Sequence, residues 1–131
     1  MFSKILVGTT PTTAADPVVE ATAELASTHE AELVVLELEP LLDAREVFHP
    51  DGVPEGLSRE GRLRRRYPEI RVRSRQARGE AVTAVCAVAE QEAPDLIVMP
   101  RGGGSGEAFL SRRASNTLIS RAACPVLLVA S

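Results

Sequence analysis

Two stretches that could hold an anion follow apolar runs in this chain. They are Gly8-Thr-Thr-Pro-Thr-Thr, containing Thr9 and Thr10, and Arg101-Gly-Gly-Gly-Ser-Gly, which follows Leu96-Ile-Val-Met-Pro. Glycine between a strand and a helix lets backbone N–H groups approach an anion, and the helix N-terminus adds a partial positive charge. The second stretch, MPRGGGSGEAFLSRRAS, runs into a helical pattern and has the composition of a phosphate cradle, which is also the composition of a flexible loop. Arg101, Arg112 and Arg113 add positive charge near the start of that helix. There the helix dipole disfavours cations unless they stand in water or an anion joins them.

Other chemistries drop out on reading. No G-x-x-x-x-G-K-[ST] is present, and the glycines do not fit G-x-G-x-x-G, because counting from Gly102 ends on Glu107 and from Gly104 on Phe109. His29 and His49 lie outside both loops and read as surface residues, so no Ser–His–acid or Cys–His set forms and no catalytic residue is assigned. Glu107 is the only acid near the loops. Cys86 and Cys124 lack metal-ligand spacing and sit in apolar settings, which predicts reduced, buried thiols and no metal site.

The elements that must position these loops alternate along the chain. Ile5–Gly8, Leu33–Leu38, Ile70–Gln76, Leu96–Met99 and Val126–Val129 read as strands. Pro17–Thr28, with Asp16 as N-cap, a short Leu57–Arg66, Glu80–Glu92 and Ser111–Ala122 read as helices. Residues 40 to 58, with Pro40, Pro50, Gly52, Pro54 and Gly56, read as loop. Strict alternation implies a doubly wound α/β fold: a five-stranded parallel sheet with helices on both faces, in one domain spanning 1–131. In such a sheet ligands bind beyond the carboxyl ends of the strands, where the strand order reverses. The two polar loops are the candidates for that crevice.

The 131 residues are 44% hydrophobic, 25% charged and only 3% aromatic, with net charge −3, as expected for a soluble domain with an aliphatic core and few platforms for base stacking. The N-terminal MFSKILVG has only a short apolar run and no cleavage pattern, and no apolar span of about 20 residues occurs. A cytoplasmic protein without membrane association is expected.

The opening KILVG, then AELVVLELEP, GEAVTAVCAVAEQEAPDLIVM and the closing ACPVLLV resemble, in this order, the corresponding parts of universal stress protein domains. The resemblance implies strand order 3-2-1-4-5, a homodimer, and an adenine-nucleotide site, ATP in many members, built on G-x2-G-x9-G-[ST] after the fourth strand. Carried over residue by residue, the motif's first glycine falls on Pro100 and its second on Gly103, and the final glycine–hydroxyl pair falls on Arg112-Arg113, with one residue missing between. The acidic residue after the first strand falls on Thr10. The resemblance thus supports only Gly103 as a phosphate-contacting glycine, with Thr10 and Pro100 at site positions without the usual chemistry, and members that lack the motif do not bind ATP. With the loop residues and arginines, the candidate site is Thr9, Thr10, Pro100, Arg101, Gly102, Gly103, Gly104, Arg112 and Arg113, an impaired or atypical ATP site with at most slow ATP hydrolysis.

Nine arginines (59, 62, 64, 65, 66, 71, 73, 75 and 78) crowd SREGRLRRRYPEIRVRSRQAR. A nucleic-acid surface is one reading. The favoured one is structural: Arg71, Arg73 and Arg75 alternate on one face of an edge strand, where charge blocks aggregation. A short preceding helix would leave that face uncovered, and Glu37 and Glu39 on the next strand would pair with them. At the other edge, Val126, Leu127, Leu128 and Val129 are all apolar and predict the dimer contact. The expected function is a dimeric small-molecule or nucleotide-binding regulatory module that takes a phosphate-containing ligand. The alternative is an interaction protein acting through its dimer or arginine-rich surface.

Overall fold

The computed structural model describes residues 2–9, 16–39, 58–100 and 112–129. Among these, strands and helices alternate as β1 (Lys4–Thr9), α1 (Asp16–His29), β2 (Glu32–Glu39), α2 (Arg59–Arg66), β3 (Val72–Arg78), α3 (Ala81–Glu92), β4 (Leu96–Pro100), α4 (Arg112–Arg121) and β5 (Val126–Val129). Every strand pair is parallel and the order is β3-β2-β1-β4-β5. The doubly wound α/β fold is thus as the alternation predicts.

The central strands of the sheet are buried on both faces and are therefore continuous apolar runs. Ile5, Val7, Leu33, Val35, Val72, Leu96 and Val98 face one side, where α1 contributes Val18, Val19, Ala23 and Ala26 and α2 contributes Leu63. Leu6, Val34, Leu36, Leu38, Ile97 and Met99 face the other, against Val82, Ala84, Val85 and Val88 of α3 and Leu118 of α4. Gly8 packs closely on Met99: a Cβ there would overlap the Met99 sulfur and come within 2.8 Å of its methyl carbon, so the Met99 side chain would have to shift.

Local chemistry sets the element ends. Ser58 caps α2 by accepting from the Gly61 N–H at 3.0 Å, so the helix opens at Arg59 rather than Leu57. Glu80 caps α3 by accepting from Val82 N–H at 3.0 Å and Thr83 N–H at 2.9 Å. Gly79 enters that cap with φ of 112°, a backbone conformation suited to glycine. The turn after α2 returns the Ile70 N–H to Tyr67 O at 3.2 Å, which keeps Ile70 out of β3 and starts the strand at Val72. α1 opens at Asp16, placing Pro17 second in the helix.

Two expectations are corrected here. Cys86 and Cys124 are both half-buried rather than buried; burial and the nearby Asp95 charge raise the Cys124 thiol. Arg73 and Arg75 of β3 lie on the α3 face, opposite to the one α2 covers, so the shortness of α2 is not their cause. Arg73 and Arg75 stand beside Val34 and Leu36 in register, whereas Glu37 stands beside Gln76 and Glu39 beside Arg78. A one-residue offset puts side chains on opposite faces. Glu37 accordingly meets Arg59 at 3.6 Å, on the α1–α2 side. Arg71 precedes the strand and is exposed.

Candidate functional site

The strand order reverses between β1 and β4: β1 continues through α1 to β2 on one side, and β4 continues through α4 to β5 on the other. Diverging crossovers leave a crevice beyond the carboxyl ends of these two strands. Thr9 closes β1 and is fully buried; Pro100 closes β4 and is buried. In register, Ile5, Leu6 and Val7 pair with Leu96, Ile97 and Val98, so the two strand ends lie side by side. The fold thereby brings Thr9 and Pro100 to the reversal.

Parallel crossovers run the helices antiparallel to the strands, which sends the N-terminus of α4 to this same end of the sheet. Arg112 and Arg113 open α4 and are both exposed. No acid stands in its first turn. Ser115 and Leu118 turn inward and anchor the helix on the α3 side of the sheet. An exposed helix start bearing two guanidinium groups can receive an anion. Thr10, Arg101, Gly102, Gly103 and Gly104 lie outside the described residues.

The opposite end of the sheet carries an ion-pair network that the sequence pattern did not locate. Glu92, at the end of α3, accepts from Arg73 at 2.5 Å, Arg75 at 3.0 Å and Lys4 at 3.4 Å. Arg73 also reaches Glu32 at 2.9 Å. Glu92 is only 10% exposed in its side chain and the arginines about a third. The Arg73 hydrogen bond, supported by Arg75 and Lys4 against the cost of burial, brings the Glu92 carboxyl down to about 2. Reciprocally, Glu92 and then Glu32 raise the Arg73 guanidinium. Next to it, Asp95 accepts from Ser3 Oγ and Ser3 N–H, each at 2.6 Å, and from Lys4 N–H at 3.1 Å, and is held below its ordinary range by these bonds. These groups saturate one another and join the N-terminal ends of the strands, far along the sheet from Thr9 and Pro100.

A cleft of about 150 Å³ lies between α1 and α2, lined by Val19, Glu20, Arg59, Arg62 and Leu63. It is smaller than the several hundred Å³ of an ordinary small-molecule site and is not at the strand reversal. Among the described residues no three His, Cys, Asp or Glu side chains are placed to hold a metal ion. Nor, among them, is any helix long and apolar enough to cross a membrane.

The model of the universal stress protein family matches residues 1–130. The chain belongs to the universal stress protein family. Solved structures of universal stress proteins share its fold across almost the whole length. A protein of the family from Burkholderia pseudomallei is 22% identical with a TM-score of 0.63, covering 97% of this chain and 95% of its own. UspA from Lactobacillus plantarum is 17% identical with a TM-score of 0.70, covering 97% of each chain. A universal stress protein solved in complex with cAMP is 18% identical with a TM-score of 0.67, covering 98% of this chain and 97% of its own. No curated protein matches the chain significantly.

Proposed function

We propose that this universal stress protein is a cytoplasmic, homodimeric regulatory module, folded as one domain over 1–131, that binds a phosphate-containing small molecule at the reversal between β1 and β4. The observation that carries the reading is the exposed start of α4, with Arg112 and Arg113, at the sheet end where Thr9 and Pro100 close adjacent strands. Gly102, Gly103 and Gly104 supply backbone N–H groups, and Arg101 adds charge. Thr10 gives a hydroxyl where a carboxylate serves nucleotide and metal in the family, so an adenine nucleotide, ATP included, is held mainly by its phosphates and weakly. A relative of the same fold was solved with cAMP, a phosphate-bearing adenine nucleotide, which supports this ligand class.

Val126, Leu127, Leu128 and Val129 form the proposed dimer contact. Leu127 is 44% exposed on this edge strand, and an apolar edge favours pairing with another chain. The same exposure favours the second reading, an interaction protein that works through this surface without a nucleotide.

Backbone NMR distinguishes the two. Addition of ATP, cAMP or inorganic phosphate is expected to shift the Thr9, Arg112 and Arg113 amides together. Absence of shifts at all three for every compound would leave the interaction reading.

A further inference from the structure

β3 is an edge strand of the sheet, and its outward backbone groups are a template for another strand. Leu33 N–H donates to Arg71 O at 2.8 Å. Peptide groups of odd-numbered residues in this strand therefore turn toward β2, and those of even-numbered residues turn outward. Two outward groups are occupied by side chains of α2. Arg64 Nε donates to Val72 O at 3.2 Å, and Ser74 N–H donates to Glu60 Oε1 at 3.0 Å. The same Glu60 oxygen accepts from Arg64 Nη2 at 3.1 Å, across an (i, i+4) pair.

We propose that the Glu60–Arg64 pair is a side-chain plug that closes the β3 edge against strand addition. One carboxylate and one guanidinium offer the acceptor and the donor that a residue of an added strand would offer, at Ser74 N–H and Val72 O. Their positions are fixed because α2 is capped at Ser58 and anchored by buried Leu63 and Tyr67. Arg73 and Arg75, bound by Glu92 on the α3 side, keep charge beside the plug. What the plug excludes is a second copy of this chain pairing through β3. The inference stands apart from the β5 dimer and from the ligand site.

The test combines amide exchange with sedimentation velocity. In the parent, Ser74 N–H is expected to be protected, although among the described residues no strand lies outside it. Glu60→Ala is expected to speed Ser74 exchange about 10-fold or more, and Glu60→Gln, which keeps an acceptor oxygen, to retain most of the protection. Glu60→Ala/Arg64→Ala is expected to form larger species than the parent, whereas Arg65→Ala, an exposed charge removed from the same helix, is not. Ser74→Pro removes the N–H that an added strand would use and is tolerated at an edge; in the double variant it is expected to restore the parent's size. Equal Ser74 exchange in the parent and Glu60→Ala would overturn the proposal, and so would association of the double variant that persists after Ser74→Pro.

Discussion

Arg73 of β3 donates to Glu92 at the end of α3 across 2.5 Å, the shortest link in a network that also takes in Arg75, Lys4 and Glu32. It joins the edge strand to the helix that covers it. Arg73 and Arg75 are therefore structural parts of the sheet's N-terminal end. Replacing Glu92 by Gln removes the carboxylate that Arg73 and Arg75 share and leaves Arg73 with Glu32 alone among the described residues. The expected loss is about 2 kcal/mol in urea unfolding, below the range for fully buried pairs because the arginines reach water.

The same carboxylate gives a pH dependence. Glu92 is brought to about 2 in the folded chain, below its ordinary 4.5. Between those values the unfolded chain binds more protons, so stability rises with pH there. The contribution is fully present above 4.5 and is lost as pH falls toward about 2. Unfolding free energies measured across this window should fall less steeply for Glu92→Gln than for the parent.

The arginine-rich segment is expected to leave DNA alone. Arg59, Arg64, Arg66, Arg73 and Arg75 each face a carboxylate of this chain, at Glu37, Glu60, Glu20 and Glu92. Phosphate contacts would have to displace those partners, and salt weakens phosphate-driven binding further. Fluorescence anisotropy should show no appreciable binding of duplex or single-stranded DNA at physiological salt. Submicromolar, salt-sensitive binding would contradict this assignment.

Much of the fold was legible in the chain because its signals are local. Runs such as Leu33-Val-Val-Leu and Leu96-Ile-Val-Met mark strands buried on both faces, and Asp16-Pro17 and Glu80 mark helix starts. The partners of Arg73 and Arg75 were not legible in this way. Alternation in β3 and β2 suggested Glu37 and Glu39, but register decides which side chains share a face, and it sets Arg75 beside Leu36. Glu92 lies far from β3 in sequence and reaches the arginines only because α3 docks over the strand. Glu60 and Arg64 stand four residues apart on α2, and that both also reach β3 depends on how α2 overhangs the edge. For the proposed ligand site, position comes from the reversal of strand order, while Thr10 and Pro100 depart in residue type from the motif that the family resemblance implies.

A side chain at Gly8 is expected to be destabilising. Gly8→Ala drives a methyl into Met99, and overpacking of this kind costs about 1–3 kcal/mol. Met99→Ala vacates the space, so the double variant should lose less than the sum of the two single losses, a coupling that denaturant unfolding can read.

Leu127→Glu is expected to separate the proposed dimer, because it places a carboxylate on the exposed face of β5, where Leu127 is 44% exposed. Light scattering at micromolar concentration should report a dimer for the parent and a monomer for the variant. A monomeric parent, or a dimer indifferent to the substitution, would contradict the β5 contact.

The most direct test of the account is titration calorimetry with ATP in the presence of magnesium. Phosphate recognition at the start of α4 without the family's carboxylate at Thr10 predicts binding in the high-micromolar range at best, about −4 to −5.5 kcal/mol. Arg112→Ala, Arg113→Ala and added inorganic phosphate should each weaken it. Nanomolar Mg-ATP binding would contradict the impaired site, and absence of binding by every phosphate compound, with both substitutions silent, would contradict the site itself.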